Sequence, residues 1–380
     1  MSKTIIIIGA GLAGLSAALQ AAENGCNVKL VSSLPSERAQ SVMAEGGINA
    51  ALNTKDENDS PEEHFTDTIK AACGLADPNA VWGMTQAAPE LVHWLLKLGV
   101  KFNMSGYDDV DLRNFGGQKK KRTAFAQSDT GKQIMTAMID AVRRKEASGM
   151  VERFSHHSFL TLRLCGNICC GCVIRDEYSQ ETVELPGDAV IVATGGMHGL
   201  FGNTTGSLSN TGEVTAELFR LGVPLANGEM IQYHPTTVKC GGKRMLISEA
   251  ARGEGGRLFA MKDGKQWYFM EEKYPELGNL MPRDITAREI WKVSHESEVF
   301  LDMTEISEEI ISNKLSGLAD DCMTYLHKDI RKEPVSVLPG IHYFMGGILV
   351  DEQHRTPIQN LYAAGECCAQ YHGANRLGGN

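Results

Sequence analysis

The apolar pattern at the start of the chain alternates between two periods. Residues 4 to 9 form an isoleucine-rich run, the mark of a strand buried on both faces. Gly9-Ala-Gly-Leu-Ala-Gly14 follows. Alanines then recur on one face of a helix predicted over about 12 to 24, with Gly25 as its stop. Val28 to Ser32 reads as a second strand, which makes a β-α-β unit in about 30 residues.

Further along, residues 61 to 98 read as helical. Pro61 suits a first helical turn, Asp77-Pro78 marks a break, and Ala87 to Leu98 is apolar at helical spacing. Residues 106 to 123 are polar, basic and glycine-bearing, so a loop is expected, with Lys119 to Arg122 as a solvated charge run. A helix is predicted over 130 to 147, followed by strands to about 175. Asp188 to Thr194 is another buried strand, closing on Gly195-Gly196. Residues 226 to 345 change character: their motifs sit in loops between short elements, as in an inserted domain. Glycine-rich strand patterns return at Gly346-Gly-Ile-Leu-Val-Asp351 and Leu361-Tyr-Ala-Ala-Gly-Glu366.

A chain of 380 residues implies two or three domains. Its 42% hydrophobic and 22% charged residues are ordinary for a globular protein. The net charge of −10, with no basic stripe, argues against nucleic acid. It also means that a dianionic ligand would need a locally basic pocket. No apolar stretch approaches the roughly 20 residues of a membrane-spanning helix. Lys3 and Ile5 to Ile8 do not make a secretory leader, because Gly9, Gly11 and Gly14 end the run. A cytoplasmic protein with reduced thiols is expected, free to dock peripherally on the inner face of a membrane. The cluster Cys165-Gly-Asn-Ile-Cys-Cys-Gly-Cys172 raises the question of zinc, but a β-hairpin with a Gly-Asn turn accounts for it better. Cys169 and Cys170 would point to opposite faces, and no metal site is expected.

The glycines Gly9, Gly11 and Gly14 stand between a strand and a helix. There they permit a tight turn and the approach of backbone amides to a pyrophosphate at the helix N-terminus. Ser32 and Ser33 occupy the place where a nicotinamide dinucleotide site carries an acid, which disfavours NAD. Ala193-Thr-Gly-Gly196 and Ala364-Gly-Glu366 end two further strands. Three strand ends converging on one long ligand suit FAD, with the Glu366 carboxylate accepting hydrogen bonds from the ribityl chain.

These segments, together with Ala44-Glu-Gly-Gly47, Gln232-Tyr-His-Pro-Thr236, Glu249-Ala-Ala-Arg-Gly-Glu-Gly-Gly256, Pro282-Arg-Asp284, His342-Tyr-Phe-Met-Gly-Gly347 and His372-Gly-Ala-Asn-Arg-Leu377, resemble the flavoprotein subunit of succinate dehydrogenase and fumarate reductase, with L-aspartate oxidase a close relative. The resemblance runs from about residue 3 to residue 380. It implies an α/β fold: an FAD-binding Rossmann-like domain of the glutathione reductase type (1–225 plus 346–380) carrying an inserted α+β capping domain (226–345). It places the flavin among Gly9, Gly11, Gly14, Ser32, Ser41, Glu45, Gly46, Gly47, Ala193, Thr194, Gly195 and Glu366. In the family the last motif opens a helix that closes over the flavin; Asn380 stops at that opening, which implies a truncated chain.

Fumarate carries a carboxylate at each end. A site for it must grip both ends, hold the double bond near flavin N5 and supply one proton. Arginine and histidine are the natural grips. The resemblance assigns one carboxylate to His234, Ser248 and Glu249 and the other to His342 and Arg376. It makes Arg283 the proton donor, reprotonated through Glu249 and Arg252, which lie three residues apart and share a helical face. Taken singly these residues have blander readings: Ser248 as a helix cap, Arg283 as the surface ion partner of Asp284, His234 as a structural histidine. His156 and His157 fall in no motif and read as surface residues.

Three departures matter. Where membrane-bound members attach FAD covalently to a histidine, counting back from Glu45 gives Gln40, so dissociable FAD is expected, with fumarate reduction favoured over succinate oxidation. Thr211-Gly-Glu-Val214 stands where Thr-Gly-Asp-Gly is common. Arg113-Asn-Phe-Gly-Gly-Gln118 carries Phe115 where aspartate oxidases place a glutamate for the substrate ammonium, and Lys121-Arg-Thr-Ala-Phe-Ala126 also looks like the fumarate reductase type. The alternatives are L-aspartate oxidase, a reductase of another unsaturated acid, and a non-catalytic flavoprotein, which the complete set of pocket residues disfavours. With neither haem nor iron–sulfur cysteine spacing in the chain, the resemblance implies a separate iron–sulfur subunit as electron partner.

Overall fold

The computed structural model describes residues Ser2 to Asn380. A five-stranded parallel sheet forms its base. It includes β1 (Thr4–Ile8), joined by helix α1 (Leu12–Glu23) to β2 (Asn27–Ser32). The strand Val151–Ser155 lies outside β2, and the strands Ala189–Val192 and then Leu361–Ala363 lie outside β1. Side chains alternate between two covered faces. Ile7 and Leu30 pack under α1 and the helix Thr130–Ala147, against Leu15, Leu19, Met135 and Met138. Ile6, Ile8 and Val31 pack on a three-stranded antiparallel sheet (157–165, 168–176 and 182–186), against Phe159, Ile174 and Leu185. Burial on both faces is why the central strands Thr4–Ile8 and Ala189–Val192 are nearly all isoleucine and valine.

The expected break between helices is real. Pro61–Ala71 is capped by Ser60 and Pro78–Leu98 by Asp77, whose Oδ1 accepts from the N–H groups of Asn79 and Ala80. The cysteine stretch forms the predicted hairpin. A register shift beside Arg163 and Leu164 lets Cys169 and Cys172 share the buried side, while the Sγ atoms of Cys165 and Cys170 meet at 2.8 Å on the other. Among the described residues, no three or more His, Cys, Asp or Glu side chains group as metal ligands, and no helix is long and apolar enough to cross a membrane.

A capping domain sits on this base. The strand Ile231–Cys240 pairs with Lys243–Leu246 and Leu338–Phe344, and a separate four-stranded sheet covers Leu258, Ile290, Leu301 and Ile311. Leu225–Ala226 pairs antiparallel with Gly347–Ile348, so the chain leaves and returns through adjacent strands. The glycine-rich strand expected from 346 shrinks to those two residues.

Two surface expectations fail. Lys119 to Arg122 is not one solvated run, because Arg122 has no exposed surface. Its Nε and Nη2 donate to Asp59 at 3.1 and 2.9 Å, and Nη1 lies 2.9 Å from Asp67. The chain turns inward there, and burial of the charge is tolerated because two carboxylates meet it. His157 is half-buried, lines the main cleft and lies 3.6 Å from Asp176.

Candidate active site

A cleft of about 1550 Å³ runs between the C-terminal edge of the parallel sheet and the capping domain. That exceeds the roughly 300–1,000 Å³ of a drug-sized ligand site and suits a long ligand. Every sequence-predicted site residue lines it except Gly14 and Arg252.

At one end the walls are mostly backbone. Gly9 has φ +111°, and a Cβ there would fall 2.3 Å from the carbonyl oxygen of Ala193. A Cβ on Gly14 would fall 1.9 Å from the carbonyl oxygen of Gly9, so Gly14 serves helix–strand packing behind the cleft wall. The N-terminus of α1 has no side-chain cap of its own. The Leu12 N–H donates to Ser41 Oγ at 3.1 Å, leaving the neighbouring amides for an anion. Ser32 Oγ is buried without a partner at the end of β2. An uncapped helix, close-approach glycines and an orphan hydroxyl fit the two phosphates and ribose of a dinucleotide. Gln40, at the expected attachment point, lines the cleft and accepts from the Ser207 N–H. Glu45 Oε2 is buried and unpartnered; burial, reinforced by Asp321 and Asp129, pushes this carboxyl up to about 8. Glu366 accepts at Oε1 from the Phe344 N–H, at 3.0 Å.

At the other end the walls are charged side chains. Arg283 begins the helix Arg283–Val293 directly after Pro282. Its Nε and Nη2 lie 2.8 and 2.7 Å from Glu249 Oε2, and Nη1 donates to Gln232 Oε1 at 2.9 Å. Its partner is therefore Glu249, not the adjacent Asp284. Glu249 begins the short helix Glu249–Gly253, which Ser248 caps while also lining the cleft. Glu249 Oε1 accepts from the Gly116 N–H at 2.8 Å and lies 3.4 Å from Arg252. Burial pushes this carboxyl up, but Arg283, Arg252 and these hydrogen bonds outweigh it and hold it below the usual range. Both oxygens are thus committed to arginines and a backbone amide.

His234 and His342 come from paired strands, and their rings lie 5.0 Å apart. Burial and then the Arg283 charge lower both well below the ordinary histidine value, so both are neutral near pH 7. His342 Nδ1 lies 2.8 Å from Thr205 Oγ1, and His234 Nε2 is buried with no partner. The Arg376 guanidinium stacks 4.2 Å over Tyr343; burial lowers it to about 10, which leaves it charged at neutral pH. Arg252, Arg283 and Arg376 gather around Glu249, with Glu366 also acting on Arg376, which leaves this hollow locally cationic inside an acidic protein. Arg252 sits behind the cleft. It lines a second hollow of about 330 Å³ with Arg257 and Glu271, and its Nη1 donates to the Asn279 carbonyl at 2.6 Å.

Sequence reasoning missed Gln232, which holds Arg283 through Oε1 and the Arg376 carbonyl through Nε2 at 2.6 Å. Its place in the Gln-Tyr-His-Pro-Thr motif was the available signal. Tyr343 likewise stands in the His342-Tyr-Phe-Met-Gly-Gly347 motif, whereas Thr205 and His198 gave no signal.

A two-lobed fold with a dinucleotide cradle facing a cationic hollow defines an FAD-dependent oxidoreductase. The FAD binding domain family matches residues 4–380. The chain is 44% identical to the succinate dehydrogenase flavoprotein subunit of Bacillus subtilis, covering 100% of itself and 66% of that protein. It is 34% identical to the 8-methylmenaquinol:fumarate reductase flavoprotein subunit of Wolinella succinogenes, over 100% and 62%, and 34% identical to an L-aspartate oxidase of Streptomyces coelicolor, over 100% and 66%. The solved quinol fumarate reductase FrdA of E. coli superposes with a TM-score of 0.91 at 30% identity, over 100% of this chain and 67% of that one. The chain belongs to the succinate dehydrogenase and fumarate reductase flavoprotein family, and spans about two thirds of the length of these relatives.

Proposed function

We propose that the protein interconverts fumarate and succinate and favours fumarate reduction. The observation that carries this reading is the gathering of Arg283 and Arg376, with Arg252 behind them, beside the orphaned His234 Nε2. A short dianion would offset that positive charge and give that nitrogen a partner. His234 and Ser248 meet one carboxylate; His342 and Arg376 meet the other. Bound flavin supplies or takes the hydride. Arg283 delivers the proton to the other substrate carbon, an unusual task for a guanidinium. Glu249 makes it feasible, because it sits on two guanidinium nitrogens and can pass to them a proton that it receives from the Arg252 side. Arg252 links Glu249 to the second hollow, which opens to solvent. We assign residues 226–345 to the capping domain.

Phe115 is 2% exposed and lines the cleft, so no carboxylate stands there for a substrate ammonium. That favours fumarate over L-aspartate. Gln40 leaves FAD dissociable, and a separate iron–sulfur subunit, docked peripherally at a membrane, supplies electrons. The test is oxidation of reduced viologen by the holoprotein with fumarate, then with monocarboxylic enoates, alongside peroxide release with L-aspartate. Turnover is expected with fumarate; faster turnover with an enoate or with L-aspartate would reverse the assignment.

A further inference from the structure

Glu366 is held by a buried histidine that lies in none of the motifs above. His198 has no exposed surface, and its ring stands edge-on to Phe344 at 5.0 Å. Nε2 lies 3.2 Å from Glu366 Oε1, and Nδ1 lies 2.9 Å from Thr204 Oγ1. The ring is walled in: a Cβ on Gly206 would fall 2.2 Å from Nδ1. Glu366 Oε1 is therefore anchored twice, by His198 and by the Phe344 N–H, whereas Oε2 has no protein partner among the described residues.

The proton inventory narrows the possibilities. Thr204 Oγ1 accepts from the Gly206 N–H at 3.0 Å and lies 3.1 Å from the Ile341 carbonyl. It has one proton to give. If that proton goes to His198 Nδ1, the ring is neutral and its Nε2–H points at Glu366. If it goes to Ile341, Nδ1–H donates to Thr204, and an ionised Glu366 then requires an imidazolium. Either way an N–H fixes one oxygen of the carboxylate.

We propose that His198 is a positioning residue for the cofactor. It locks Glu366 so that Oε2 presents an acceptor to the hydroxylated ribityl chain of FAD. This rests on the reading of the cleft as an FAD site with Glu366 beside the ribityl chain.

The experiment uses two variants. His198→Phe keeps ring volume and the contact with Phe344 but removes both nitrogens; His198→Gln keeps a donor. Each apoprotein is titrated with FAD, followed by flavin fluorescence, and with ADP, which probes the nucleotide end alone. His198→Phe should weaken FAD on the order of tenfold, as loss of a hydrogen bond to a charged group does, while ADP stays within about twofold. His198→Gln should recover most of the loss, and in a Glu366→Leu background His198→Phe should add nothing. Wild-type FAD affinity in His198→Phe, or an equal loss of FAD and ADP, would overturn the assignment. Wild-type protein that binds ADP but no FAD would instead defeat the cofactor reading on which it rests.

Discussion

The two ends of the cleft are built by opposite means. The dinucleotide end is made of strand termini, glycines and one helix N-terminus, with backbone supplying most of the polar groups. The other end is made of side chains at positions 234, 248, 249, 283, 342 and 376, where buried arginines meet a buried carboxylate. A backbone cradle depends on the absence of side chains and fails when a Cβ is added. A buried charge cluster depends on the presence of every partner, because removing one leaves the others unpaired in a poorly solvated place.

Arg283→Gln should have the largest effect. Fumarate turnover should fall by about 10²–10⁴, the usual worth of a general acid, while the flavin absorbance of the purified protein stays. Activity within about tenfold of wild type would remove Arg283 from the proton step. Arg122→Leu tests the same principle away from the cleft. It strands Asp59 and Asp67, and a loss of about 3–5 kcal/mol is expected in chemical denaturation. A change under about 1 kcal/mol would mean that the pairing contributes little.

Gly14→Ala probes the other end. Overpacking against the Gly9 carbonyl should cost about 1–3 kcal/mol and lower FAD content, with turnover per bound FAD unchanged. A fall in turnover per flavin would mean that the two ends are coupled. An effect confined to one pH range concerns Glu45, whose carboxyl is raised from 4.5 to about 8. The folded protein holds a proton there that the unfolded chain has lost, so this group costs stability progressively as pH rises from about 4.5 through 8. Glu45→Gln apoprotein should therefore melt higher than wild type near pH 8, with the gap closing toward pH 4.5; a gap independent of pH would contradict the buried carboxyl. For the cofactor, acid precipitation of the holoprotein should leave a colourless pellet, since Gln40 offers no attachment point.

Much of this was legible in the chain. The isoleucine run, Gly9 to Gly14, the Asp77-Pro78 break and the Gly-Asn hairpin act over short ranges, through φ preferences and strand or helix periods. The order of motifs pointed to the family. Arg122 escaped because a basic run looks the same whether it faces water or two distant carboxylates. Gln232 escaped because its two bonds reach 51 and 144 residues away.

Local sequence thus specified the β-α-β unit and the glycine cradle, because those depend on conformational limits of neighbouring residues. Which charges meet was settled by long-range packing. Glu249 finds Arg283 34 residues on and the Gly116 amide 133 residues back, and burial then fixes the protonation of His234 and His342. Electrostatic energy depends on distance and desolvation in space, and neither is written in the spacing of residues along a chain.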